Sequence, residues 1–200
     1  MAVERGMTPK PNSEYFDNGH KYRTDEHGRT VITEGWVGGS SAARNPTAQV
    51  KAGGYDRQDR DHGGHGIASS LGGSGEAVNL TAQQDDLNTG GSARFGEVSD
   101  ADKERSNAGE GISHYNIENY RDMERFLSHE ISKGKKVYFQ KRNYYDGDSK
   151  RPSRYEISVL IYDSDADSRP RSHNFTFYNV DKEGRERQRN EAREVNVSMT

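Results

Sequence analysis

The stretch from Asp61 to Gly90 holds four polar side chains that could meet at one site: His65, Asn79, Gln83 and Asn88. A neutral imidazole has a pKa suited to taking a proton near pH 7. Magnesium gives up its waters reluctantly, so one or two side-chain oxygens with phosphate and water commonly suffice to hold it. A carboxamide from Asn88, set early on a helix, could supply such an oxygen and leave His65 off the metal. This is the equipment that phosphodiester hydrolysis requires. Water must lose a proton as it attacks, while the charge on phosphorus and on the leaving 3′ oxygen must be stabilised. A divalent ion can serve both of the latter needs. Glycines at 63, 64 and 66 let backbone and substrate come close to His65.

The same residues admit plainer uses. His62 and His65 with Asp61 could form a zinc site, but no third or fourth ligand follows at a metal-site spacing. Asn79 and Asn88 could cap a turn and a helix. Asp85 and Asp86, adjacent on a helix, point in different directions and suit its N-terminal dipole. Glu124 could be a solvated position beside an apolar stripe.

The elements that must position these groups are legible in outline. Residues 20–33 read as two short strands around a turn at 25–28, and 64–68 with 77–82 as a strand pair across a glycine-rich loop, with a further element starting near Gln83. Ile117, Tyr120, Met123, Phe126, Leu127 and Ile131 recur at helical spacing, and Gly134 marks the helix end. Residues 136–142, 155–162 and 173–180 are strand-like, with a turn at 145–148. The expected fold class is α+β: a ββα-metal finger on a small antiparallel sheet with a long packed helix. The expected organisation is a flexible segment at 1–14, one domain at 15–180 with a polar insertion at 92–114, and a charged tail at 181–200.

The bulk composition sets bounds on this. Of 200 residues, 29% are hydrophobic and 30% charged, so the core must be small and long loops are expected. There is no cysteine, which removes disulfides, thiolate metal sites and cysteine nucleophiles. No run is long enough to span a bilayer and residues 1–11 lack the apolar part of an export signal, so neither membrane association nor a signal peptide is expected. The net charge of −3 argues against a uniformly basic surface, yet Arg57 with Arg60, 133–136, Lys141 with Arg142, and 150–154 supply local positive charge. Each of these clusters alone reads most simply as a solvated face.

Taken in order, the residues resemble the DNA/RNA non-specific endonucleases of the ββα-metal (His-Me finger) group, in the branch found as bacterial polymorphic toxin and effector domains. The matching pieces are Asp61, Gly63-Gly64-His65, Gly72-Gly73-Ser74-Gly75, Asn79-Leu80 with Gln83, and Leu87-Asn88, with the nine-residue step from Asn79 to Asn88. Upstream, Tyr22 and the Thr24-Asp25 to Gly28-Arg29 run are similar to the branch's entrance. Downstream, Tyr120 to Glu124, Gly134 to Val137, Tyr145 and Arg151-Pro152 are similar to its later elements. The resemblance implies that His65 is the general base, that Asn88 is the direct metal ligand, and that Asn79 and Gln83 support the site, Gln83 on the metal side. Glu124 becomes an outer acid facing the hydrated ion. Two departures stand out. The better-known motif carries a phosphate-binding arginine two residues before the histidine, where this chain has Gly63; Arg57, Arg60 and Arg44 are candidates to replace it. The polar stretch between Asn88 and Tyr120 also separates Glu124 from the rest.

The resulting expectation is a magnesium-dependent endonuclease, with manganese as a substitute ion and no small-molecule cofactor. It would cut DNA, with RNA as a second substrate, with little sequence preference because phosphates rather than base edges are contacted. The resemblance further implies a piece of a larger toxin, secreted by a specialised system, acting in the target-cell cytoplasm and partnered by a cognate immunity protein. Alternatives are a binding module of the same fold without catalysis, a nutritional or housekeeping nuclease without an immunity partner, and an RNA-only toxin.

Overall fold

A computed structural model describes residues 1–90, 117–163, 169–181 and 183–188. The expected insertion at 92–114 and the end of the tail lie outside the described residues. Six strands form one antiparallel sheet: β1 (Glu14–Asp17), β2 (His20–Thr24), β3 (Thr30–Val37), β6 (Lys136–Tyr145), β7 (Pro152–Tyr162) and β8 (Arg171–Tyr178), in that spatial order. The remaining strands, β4 (Asp61–His65) and β5 (Leu80–Gln84), make a separate two-stranded ribbon. Helices α1 (Pro46–Lys51), α2 (Asp85–Thr89) and α3 (Tyr120–Ser132) accompany them, and residues 183–188 are also helical.

Strand alternation sends Val137, Phe139, Tyr155, Ile157, Val159 and Ile161 to one face of the sheet. That face meets Tyr120, Met123, Phe126 and Leu127 of α3, the apolar stripe seen in the sequence. The helix begins at Tyr120 rather than Ile117 because Asn119 caps it, accepting from the Asp122 N–H at 3.0 Å; it ends where Gly134 adopts the left-handed conformation. Ile67, Ala68 and Leu71 from the loop after β4, and Leu87 from α2, enter the same core. The loop after β4 and helix α2 are thereby seated on the sheet by their own apolar residues.

The α+β architecture, the helix on an antiparallel sheet and the strand-strand-helix finger agree with the sequence reading. Three local features differ. The finger strands lie at Asp61–His65 and Leu80–Gln84, not at 64–68 and 77–82, because Ile67 and Val78 are buried from loop positions and strand pairing falls instead to the glycine-flanked residues. Helix α1 has no counterpart among the elements expected from the sequence; Asn45 caps it, accepting from Ala48 N–H, and Pro46 starts it. Strand β1 is short and pairs with β2, and the segment before it, expected to be flexible, is tied down by the Met1 amino group on Glu14 O at 2.7 Å and by Val3 and Met7 packing against Tyr15, Tyr22 and Val78.

Candidate active site

In the ribbon His65 stands opposite Leu80, His62 opposite Gln83, and Asp61 opposite Gln84. The two glycines between the histidines are demanded from both sides. A side chain at Gly63 would collide with the backbone of Gln49 in α1, and one at Gly64 with the Gln83 side chain. This accounts for the missing arginine two residues before His65: α1 stands where its side chain would have to go.

The loop after His65 is fixed by one side chain. Asn79 is buried; its Oδ1 accepts from Ile67 N–H at 2.9 Å, and its Nδ2 donates to Ile67 O at 2.8 Å and Ser74 O at 2.7 Å. Its own carbonyl accepts from Gly66 N–H at 2.7 Å. These bonds set the path of the backbone that carries the imidazole. The His65 ring is half-buried, and its enclosed Nε2 has no hydrogen-bond partner among the described residues. Burial, followed by the positive charges of Arg44 and Lys141, pushes its pKa down to about 4, so the ring is neutral at physiological pH and retains a lone pair.

Lys141 lies within electrostatic reach of His65, and Glu124 within reach of Lys141 and Arg44. Glu124 on α3 is pushed up to about 7 by burial, with Lys141, Arg44 and Arg121 opposing that rise. Lys141 on β6 has no exposed surface, and burial pushes it down to about 7 against the pull of Glu124. Arg44 is exposed on the loop before α1, its Nε donating to Ser69 Oγ at 3.2 Å. Of the three arginines suggested by sequence, it is the one whose charge is felt at both His65 and Glu124.

Arg57 and Arg60 sit elsewhere. The Arg57 guanidinium donates to the carbonyls of Gln49, Val50 and Asp61, clipping α1 to the start of β4. Arg60 pairs with Asp85 and Asp86 at 3.2 Å each, at the N-terminus of α2.

Helix α2 is short but doubly stopped. The Gln84 side chain caps its start by accepting from the N–H groups of Asp86 at 2.6 Å and Leu87 at 3.3 Å, and left-handed Gly90 closes it. Leu87 goes into the core; Asn88, next to it, stays half-exposed with Nδ2 3.4 Å from His62 Nδ1. Asn88 therefore lies at the His62 end of the ribbon, and His65 stands three residues further along β4, roughly 10 Å of strand. Gln83, cross-strand from His62, is fully buried with neither amide atom paired among the described residues.

No group of three or more His, Asp or Glu side chains among the described residues could cage an ion. A hydrated magnesium needs no cage. With Asn88 Nδ2 turned to His62, its Oδ1 is free of hydrogen bonds among the described residues, and the unpaired Gln83 amide lies against Gly64. These hard neutral oxygens fit an ion held by few protein ligands.

The finger is locked to the sheet by charges that sequence alone does not connect. Arg151 forks onto buried Asp61 with Nε to Oδ2 at 2.7 Å and Nη2 to Oδ1 at 2.9 Å, so two pieces of the motif 90 residues apart form one bidentate pair. Asn179 adds a second lock, accepting from Gln84 N–H at 2.8 Å and donating to Ala82 O and Pro152 O. Sequence reading missed Asn179, which carries no local signal, and it left Lys141 as surface charge. Alternation could have found the lysine: Val137, Phe139, Lys141 and Asn143 share a parity, and all are buried.

Comparison with known proteins adds the following. A family model described as DNA/RNA non-specific endonuclease matches residues 11–113. The type VII secretion system protein EssD of Staphylococcus aureus (strain USA300) is 35% identical over 157 residues, covering 76% of this chain and 22% of EssD. The EssD of strain NCTC 8325 / PS 47 matches identically. The chain thus spans 22% of the length of these relatives. A solved structure titled extracellular endonuclease aligns at TM-score 0.42 with 14% identity, over 78% of this chain and 75% of that one. Another, titled extracellular nuclease, aligns at 0.42 with 12% identity, over 89% and 91%.

Proposed function

This chain belongs to the DNA/RNA non-specific endonuclease family, and from that premise we propose that it hydrolyses phosphodiester bonds at the ribbon, with His65 as general base. The observation that carries the proposal is the unpaired, enclosed Nε2 of a histidine held neutral beside two cations. Nε2 takes the proton of the attacking water. Arg44 lies against the substrate phosphate in place of the arginine that Gly63 cannot be. Asn88, backed by Gln83, would hold a magnesium or manganese ion, which supplies charge stabilisation on phosphorus and on the leaving oxygen. Glu124, in its ionised form, would orient water at the site. Asn79 keeps the His65 loop in register with the rest.

Nothing in this set reads a base, so DNA is cut with little sequence preference and RNA is a second substrate. The kinship with a type VII secretion system protein supports a role as the toxic piece of a larger secreted protein, acting in a recipient cytoplasm and restrained by an immunity protein. The test is digestion of supercoiled plasmid and of RNA with magnesium, with manganese and with chelator. Nicked and linear plasmid should appear with either ion and vanish with chelator; cleavage that persists in chelator defeats the metal-dependent reading. For the toxin role, expression without any neighbouring inhibitor should arrest the host, and unimpaired growth of cells making active enzyme would refute it.

A further inference from the structure

Lys141 is the one fully buried lysine among the described residues, and the mechanism above does not use it directly. Its Nζ has no hydrogen-bond partner there. Instead it rests on two aromatic faces, 4.1 Å from the Tyr155 ring centroid and 4.8 Å from that of Tyr120. A methionine would fill that space without the desolvation cost of an amine. A cation kept in such a place calls for a use.

Its neighbours suggest one. Tyr120 lies one helical turn before Glu124 on α3. Tyr155 reaches the finger, its hydroxyl 3.2 Å from Ala82 O and 3.4 Å from Thr81 Oγ1. The cross-strand partner of Lys141 on β3 is Thr33, and Gly66, next to His65, packs against Thr33 so closely that an added Cβ would stand 3.2 Å from its Oγ1. Lys141 is thus framed by the helix that carries Glu124 and the loop that follows His65, yet it is sealed from solvent and cannot touch substrate.

We propose that Lys141 is a positioning residue of the hydrolytic site, an internal amine between the Tyr120 and Tyr155 rings whose charged form acts on the reaction through His65 and Glu124. Both effects run in one direction. A buried positive charge disfavours the imidazolium and favours the carboxylate, so it adds to the burial that keeps the base unprotonated and opposes the burial that favours the protonated acid. The groups facing it are Glu124 and Tyr120 from α3, Tyr155 from β7 and His65 from β4, with Arg44 and Arg121 bearing on the same carboxylate.

This inference rests on the hydrolytic reading, and its experiment separates the two: if the wild-type chain fails to cut plasmid with magnesium the reading fails, whereas a wild-type enzyme indifferent to position 141 sinks this inference alone. Lys141→Met should melt no lower than wild type, lose roughly 10- to 100-fold in kcat with little change in KM, and show the acid limb of kcat/KM displaced to higher pH. In metal-free protein, the His65 ring resonance should titrate at higher pH in Lys141→Met than in wild type. Because the chain has no cysteine, Lys141→Cys offers a unique thiol that can be aminoethylated or methylthiolated in denaturant before refolding. Activity should return with the charged adduct and not with the neutral one, and this pair decides the matter if Lys141→Met does not fold. Equal activity of the two adducts, or a folded Lys141→Met with unchanged kcat and acid limb, would overturn the proposal.

Discussion

The sheet and the finger are built from different forces. Between β6, β7 and α3 the inner face is filled by Phe139, Ile157, Val159, Phe126 and Leu127, an apolar surface that tolerates small rearrangements of its parts. The β4–β5 ribbon has almost no such surface. Its strands carry Gly63 and Gly64, and it is held by directed polar contacts: Asp61 to Arg151, Asn79 to its loop, Asn179 across to β5. Non-directional packing supplies stability, while directed bonds supply the positional precision a general base requires. The two regions should therefore fail differently.

The largest contrast is between Arg151→Ala and Phe126→Ala. Removing Arg151 leaves the buried Asp61 carboxylate with the Gln58 N–H but no counter-charge, which costs about 3–5 kcal/mol; Phe126→Ala costs a similar ~3–5 kcal/mol through its cavity. Denaturant melts should show comparable losses. At a temperature where both variants remain folded, however, Phe126→Ala should cut plasmid at close to the wild-type kcat, and Arg151→Ala should be impaired because the start of β4 has come loose. Equal kcat in the two would erase the distinction.

A smaller effect is expected at Asn79. Its replacement by Ala strands the Ile67 N–H and two carbonyls, at about 1–3 kcal/mol, and should lower kcat more than that stability loss alone would suggest, as measured by single-turnover cleavage with saturating magnesium.

How much of this could be read from sequence follows the same division. Helix α3 and strands β6 to β8 announce themselves because burial imposes a period on the chain, as at Met123, Phe126 and Leu127 or at Val137 and Phe139. The ribbon does not, since its residues are chosen for close backbone approach and for contacts to distant partners. Gly63 and Gly64 therefore give no strand pattern, and the apolar Ile67 and Val78 drew the expected strands three residues away from where they lie. Candidate site residues can be proposed by type and spacing, but their partners cannot. Nothing local ties Asp61 to Arg151, or shows that Arg57 is occupied by four carbonyls while the charge of Arg44 is felt at His65.

The smallest expected effect sharpens that last point. Arg60 is exposed and pairs with Asp85 and Asp86 at the rim, so Arg60→Ala should leave the melting curve unmoved and cleavage within about twofold of wild type. Arg44→Ala, which deletes a cation beside His65 and Glu124, should weaken cleavage well beyond that in the same assay.

The most direct test of the account is made on His65 itself. His65→Ala, verified as folded by its near-UV spectrum and melting curve, should lose about 10²- to 10⁴-fold in plasmid cleavage with magnesium present, and added imidazole should restore part of that loss. A folded His65→Ala that cuts at the wild-type rate would show that the proton leaves by another route and that the ribbon is not the catalytic centre.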